Sequence, residues 1–324
     1  MRESIAASLE RRERMNKNKS AVKQKHTFKK QLPFLLMILP GMLYLIINNY
    51  VPLFGIVIAF KKIDFAKGIF KSPWVGLQNF EFLFKTDDAF VMTRNTILYN
   101  LAFILLGTAF SVAVAILLNE LRSKMAKKVY QTVILLPYLI SIIIVSYITY
   151  ALLNTDTGLF NGILTRMGKD PVYWYSEAKY WPFILVFISM WKSVGYSAIV
   201  YLATITGIDQ SLYEAASVDG AGRLTKIFKI TLPLLKPTII TLVLLSVGRI
   251  FYSDFGLFYQ VPMNSGALYD VTQTIDTYVY RALLQMNNLS MSSAASVFQS
   301  LVGFVTIVIV NLLVRKADKD LALF

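Results

Sequence analysis

The chain has 324 residues, of which 56% are hydrophobic and only 16% charged, with a formal net charge of +14. Soluble domains carry about a quarter charged residues; here the charges crowd into the ends and loops, which excludes an ordinary soluble globule and points to a polytopic membrane protein of all-α class. There is no Cys and His26 is the only His, so disulfides, thiolate metal sites, Cys nucleophiles and His-centred zinc or triad chemistry have no residues to work with.

The first element is a basic arm, residues 1–31. Arg2, Arg11, Arg12, Arg14, Lys17, Lys19, Lys23, Lys25, Lys29 and Lys30 face only Glu3, Glu10 and Glu13. It is too long for the n-region of a cleaved signal peptide, so the expectation is an arm that stays in the cytoplasm. His26 reads as one more solvated residue of it. The basic excess clusters beside apolar stretches and forms no stripe on a soluble fold, so it reads as topology signal and not as a nucleic-acid surface.

Residues 32–324 read as the membrane domain. A helix needs about 20 apolar residues to cross a bilayer core of roughly 30 Å, and six windows qualify. They are Leu32–Phe60 with Pro33, Pro40 and Pro52, Thr96–Leu118, Val129–Leu153 with Pro137, Pro182–Ile205 with Lys192, Thr238–Tyr259 with Arg249 and Asp254, and Ala294–Val314. Between the first two, "GLQNFEFLFKTDDAF" sets Leu77, Phe80 and Phe84 at helical spacing, which predicts a short helix outside the membrane. The loops 154–181 and 260–293 are rich in Tyr and Trp. They fit an interfacial aromatic belt or contact with a partner or a sugar. No repeat at a fixed period is visible.

Lys and Arg favour cytoplasmic loops. With the N-terminus inside, the inner segments hold 21 of them and the outer loops 10. Lys61, Lys62, Lys67, Lys71, Lys85 and Arg94 in the first outer loop dissent from this orientation, partly offset by Asp64, Glu81, Asp87 and Asp88. Both termini are expected to be cytoplasmic.

On that topology the stretch 206–237, between the fourth and fifth spans, is cytoplasmic. Ser211 and Glu214 have capping-box spacing, with Asp209 as the alternative cap. Leu212, Ala215 and Ala216 then share one face, where two adjacent small residues permit a close approach by another backbone. Asp219-Gly220 ends this helix, Gly taking the left-handed conformation at little cost. A second helix carries Leu224, Ile227, Phe228, Leu232 and Leu235 on one side and Arg223, Lys226 and Lys229 on the other, as a helix lying in the membrane interface would. Pro233 is expected to stop or kink it, and Pro237 to open the next span. Physically this is either a plain interfacial connector or a docking element for a cytoplasmic protein.

"EAASVDGA" from Glu214 to Ala221, followed by "FKITLP" from Phe228 to Pro233, resembles the EAA loop of ABC importer permeases. Over essentially the whole chain the sequence is similar to the carbohydrate-importer group of the maltose-permease superfamily, with "GLQNFEFLF" from Gly76 to Phe84 and "NT" at Asn95-Thr96. Within that group it most resembles permeases for complex oligosaccharides, including pectin and alginate fragments. One departure is Asp209, where the family commonly has Pro. The resemblance implies a permease with no catalysis of its own, working with a second homologous permease, two ATP-binding subunits and an extracytoplasmic solute-binding protein in a bacterial cytoplasmic membrane. It also implies that Leu212, Tyr213, Glu214, Ala215, Ala216, Asp219 and Gly220 couple the chain to the ATPase, and that ATP and Mg are bound by that partner. Independently, the chain has no G-x-x-x-x-G-K-[ST], and "GAGRLT" fits neither P-loop nor dinucleotide spacing.

Lys192, Arg249 and Asp254 fall inside predicted spans, and charge at membrane depth faces protein or a water-filled cavity. Arg249 and Asp254 are five apart, which suits bridges to neighbouring helices. Alternatively Lys192 with Trp191 and Tyr196, and Arg249 with Tyr252 and Asp254, line a substrate path. Aromatic faces suit sugar rings, cations suit carboxylates, and two cations against one acid favour an anionic chain. A secondary transporter or channel for a small solute is the rival reading, but it predicts inverted repeats and in-membrane carboxylates, of which only Asp254 is present.

Overall fold

The structure, a computed structural model, describes residues 31–322. The expectations for the basic arm therefore lie outside the described residues, except at Gln31. The chain divides into two compact units at Val57/Ile58. Among the described residues all regular structure is helical, apart from one isolated antiparallel bridge between Lys61 and Trp74.

Five helices are long and apolar enough to cross a membrane, or six if one bent pair counts as a single span. The first is α1, Gln31–Phe60, which passes through a π segment at Ile46–Tyr50. The loop after it holds no single helix of the kind predicted. Gly76 takes φ +59°, Gln78–Phe80 is one 3-10 turn and Phe82–Lys85 one α turn. Thr86 then turns extended so that its hydroxyl can accept from Ala89 N–H and cap α2, Asp87–Asn119. Asp87 and Asp88 stand in the first turn of α2, where the helix dipole favours acids. The cap explains why the span begins earlier than its apolar window.

The third predicted span is broken. Ser123 caps α3, Lys124–Leu139, and Ser141 caps α4, Ile142–Leu153. The two helices meet at 90°. Ile140 and Ser141 are extended at the corner, just past Pro137. A short helix α5, Leu159–Arg166, and the loop beyond it lead to α6, Trp181–Thr206. Helices α2 and α6 form the most extensive helix–helix contact. Helix α3 crosses α6 at Gly195, where a Cβ would stand 1.8 Å from Ile134 O, so only glycine permits this approach.

After α6 come α7, Gln210–Val218, and α8, Arg223–Val247. Of the stop or kink expected at Pro233 the stop does not occur, and Pro237 lies inside the helix instead of opening the next span: the chain stays helical through both. At Pro233 the reason is the π turn Ile227–Thr231, in which Leu232 N–H reaches back to Ile227 O. Widening that turn relieves the clash between a proline ring and the carbonyl four residues before it. Helical structure instead stops at Val247, well short of Tyr259, and Gly248–Asp254 is a non-helical break before a π segment at Gly256–Gln260.

Two further helices follow, α9, Ile275–Leu284, and α10, Leu289–Ala317, the latter capped by Asn288 accepting from Met291 N–H. Helix α9 is too short to span. Its Arg281 is 6% exposed and bonds to Asn264, Gln273 and Thr277 with its guanidinium 4.2 Å from the Tyr269 ring centre, and burial pushes its pKa below the ordinary value. One apolar cluster packs Tyr99, Val145, Trp181, Leu185 and Phe258; a second packs Val112, Ala115, Ala198, Leu202 and Leu235. Between these packed regions the helices leave a polar cavity.

Candidate functional site: a cavity and a connecting loop

The cavity has a volume of about 640 Å³. Asn100, Gly107 and Thr108 enter it from α2, Ser193, Tyr196 and Ser197 from α6, and Leu245 and Ser246 from α8. Arg249, Tyr252, Ser253 and Asp254 of the break complete the wall. The break is held open by side chains. Asn100 Nδ2 donates to Ile250 O at 2.9 Å and Tyr252 O at 2.8 Å, and Gln299 Nε2 donates to Phe251 O. Non-helical backbone at membrane depth is tolerated where it lines such a cavity.

Four of the predicted path residues, Tyr196, Arg249, Tyr252 and Asp254, meet in this cavity. Arg249 is exposed in it, and among the described residues no hydrogen bond or ion pair holds its guanidinium. The bridge to Asp254 is not formed. Asp254 Oδ1 instead accepts from Leu257 N–H and caps the segment that follows. Tyr252 Oη pairs with Ser300 Oγ at 2.8 Å, and Tyr196 stacks on Tyr138 with ring centres 4.6 Å apart.

The other two predicted path residues lie elsewhere. Trp191 lines a separate apolar groove with Phe183, Phe187 and Pro137. Lys192 Nζ donates to Pro137 O at 3.3 Å and to Ile140 O, the carbonyls at the open C-terminal end of α3. A cation is favoured at that end, so Lys192 supports the α3–α4 corner. Sequence reading passed over Asn100, Thr108, Ser193, Ser197 and Ser253. For those on helices the signal is in the spacing: Ser193, Tyr196, Ser197 and Val200, like Asn100, Phe103, Ile104 and Gly107, repeat at three and four, which sets each group on one face of its helix and the polar members on it.

The loop between α6 and α8 is ordered by its own hydrogen bonds. Asp209, not Ser211, is the cap of α7: it is extended, and its carboxylate accepts from Ser211 N–H at 2.9 Å. Ser211 and Glu214 are already inside or beyond the first turn, so the capping-box expectation gives way to the alternative. That hydrogen bond holds the Asp209 carboxyl below the usual range. At the other end Asp219 is the C-cap and Gly220 has φ +77°. Ala221 N–H reaches Ala216 O and Gly220 N–H reaches Ser217 O, the hydrogen-bond pair of a Schellman ending. Tyr213 Oη meets Thr231 Oγ1 at 2.9 Å and Lys226 Nζ donates to Ser217 Oγ at 2.6 Å. Helix α7 is thus tied to the first turns of α8. Its outward side presents Leu212, Ala215 and Val218, the last 89% exposed.

A family model described as "Binding-protein-dependent transport system inner membrane component" matches residues 107–319. The chain belongs to this family. That stretch runs from the middle of α2 to just past the end of α10 and includes the loop, the break and the cavity wall except for Asn100, Phe103 and Ile104. Among relatives of the permease, the "Polygalacturonan/rhamnogalacturonan transport system permease protein YteP" of Bacillus subtilis (strain 168) is 35% identical over 285 residues, 88% of each chain. The "Arabinooligosaccharides transport system permease protein AraP" of Halalkalibacterium halodurans is 28% identical and covers 85% of each. A crystal structure of a bacterial ABC transporter involved in import of the acidic polysaccharide alginate has a chain similar to this one at TM-score 0.83 and 31% identity, covering 91% of this chain and 99% of that one. The same likeness, at TM-score 0.82, holds for a bacterial alginate ABC transporter in complex with an alginate pentasaccharide-bound periplasmic protein. These relatives are sugar-importer permeases, not enzymes, and the described residues contain no His, Asp and Glu group able to hold a metal.

Proposed function

We propose that this permease is one of two membrane subunits of an ATP-driven importer for acidic oligosaccharides, uronate chains of the pectin or alginate kind. The observation that carries the acidic substrate is Arg249, a cation on the cavity wall with no counter-charge from the protein among the described residues. Stacked Tyr196 offers an aromatic surface beside it, and the serines and Asn100 offer hydroxyl and amide groups to a sugar. The names of the relatives agree in chemistry. Asp254 spends an oxygen on a helix cap, so it is a poor ion-coupling carboxylate.

In this reading α7 is the docking element for the ATP-binding subunits, which hold ATP and Mg. Its exposed apolar side and its ties to α8 support that role. A second homologous permease closes the cavity, and an extracytoplasmic solute-binding protein delivers the sugar. Both termini and the α6–α8 loop face the cytoplasm, and the chain resides in a bacterial cytoplasmic membrane.

The test is Arg249→Gln in the reconstituted importer, assayed with neutral and uronate oligosaccharides of equal length. A contact between unit charges at 4 Å and an effective dielectric near 20 amounts to about 4 kcal/mol at most. Losing even a third of it slows a weakly held substrate about tenfold. Uronate uptake is expected to fall by that factor while neutral uptake, where present, does not. Equal loss for both substrates would refute the assignment.

A further inference from the structure

In Gly248–Asp254 the N–H groups of Gly248, Arg249, Ile250 and Tyr252 are met by turn carbonyls, whereas the carbonyls of 250–252 and the N–H of Ser253 are paired with side chains from elsewhere, as buried backbone groups must be. These side-chain partners come from three different elements. Asn100 of α2 takes Ile250 O and Tyr252 O, and Gln299 of α10, 3% exposed, takes Phe251 O. Asp276, in the first turn of α9, accepts on one oxygen from Ser253 N–H at 2.6 Å and Gln299 Nε2 at 3.1 Å, and Ser253 Oγ lies 2.8 Å from the same oxygen and 2.7 Å from Thr274 Oγ1, with one proton to share between them. No cation pairs with Asp276 among the described residues. Neither Asp276 nor Gln299 lines the cavity; both act on it through the backbone of its wall.

We propose that Asn100, Asp276 and Gln299 are positioning residues for translocation, holding residues 250–253 out of helical form so that Arg249, Tyr252 and Ser253 face the cavity. Asp276 ties that wall to α9, a helix too short to span, so a displacement of α9 reaches the cavity through one carboxylate. The inference rests on the proposed transport role only for its uptake readout; the shape of the wall can be measured without a substrate.

Because the chain has no Cys, Ser246→Cys places a single thiol in the cavity. Its rate of reaction with a membrane-impermeant maleimide is compared in the assembled importer with Asp276 intact, with Asp276→Asn and with Gln299→Met. Both variants are expected to shift the labelling rate about fivefold or more, and to lower the maximal uptake per assembled complex about tenfold while the half-saturating substrate concentration stays within about twofold. Should Asp276→Asn fail to assemble, Gln299→Met, which removes one donor to Asp276 and leaves every cavity-lining side chain in place, carries the test. If the assembled variants label and transport as the parent does, the three side chains are structural and the inference falls. If the parent takes up no uronate but the labelling shift is present, the acidic-substrate reading falls and the positioning role stands.

Discussion

Replacing Lys192 with Met separates a structural cation from a substrate-binding one. In the structure its ammonium donates to Pro137 O and Ile140 O at the corner between α3 and α4. Met keeps most of the stem and removes the charge. Hydrogen bonds to charged groups contribute about 1.5–3 kcal/mol each, and the α3 terminus adds the favourable field of its dipole. Lys192 is only partly buried, so the lower end applies, about 3 kcal/mol for the pair of bonds. The expected result is a melting temperature lower by roughly 5–10 °C, with every transported substrate affected in proportion to the folded protein that remains. Lys192→Arg should retain most of the stability, since the guanidinium still reaches carbonyls. Thermal unfolding of the purified protein, together with uptake of neutral and uronate oligosaccharides, measures both quantities. A Lys192→Met protein that melts like the parent and loses only uronate uptake would refute the corner-support role and return Lys192 to the substrate path.

Gly220→Val forces a branched residue to φ +77°, where nothing crowds the side chain but the backbone itself costs about 1–2 kcal/mol; ATP hydrolysis should continue while transport per ATP falls, and Gly220→Asn should be milder. Ala216→Trp, on a half-buried position of α7, should leave the chain inserted but abolish co-purification with the ATP-binding subunits. Gly195→Ala puts a methyl into the carbonyl of Ile134 and should destabilise by about 1–3 kcal/mol, seen as a lower melting temperature. The depressed pKa of Asp209 means that its cap is fully present above the ordinary carboxylate pKa and is lost as pH falls through the lower folded value. Protease sensitivity of α7 should therefore be flat from neutral pH to mild acid and rise only in stronger acid, and Asp209→Ala should remove that pH dependence.

What the sequence determined by itself was what local chemistry determines. Apolar windows long enough to cross a bilayer marked where the membrane helices lie, because unpaired backbone and charge are costly in hydrocarbon. The left-handed Gly220 was readable because few residues but glycine go there, and the small, exposed side of α7 because Leu212, Ala215 and Ala216 recur at helical spacing. The resemblance to importer permeases rested on the same stretch together with Gly76–Phe84 and Asn95-Thr96.

Tertiary structure decided where helices break and what each charge touches. Pro233 looked like a stop or a kink and Pro137 was simply carried within a predicted span, yet the helix runs on through the first by way of a π turn and the second precedes a right-angle corner. A proline's missing N–H says that a bond is lost and leaves open which neighbour compensates for it. Arg249 and Asp254 sat five apart as if to bridge neighbouring helices, but a break separates them, and Asn100, Gln299 and Asp276 reach its backbone from distant parts of the chain. Lys192 was drawn to two carbonyls more than fifty residues away in sequence. Hydropathy and spacing report on a residue's own helix, whereas the partner of a buried polar group is fixed by which helices cross there, and that is settled only when the whole bundle packs.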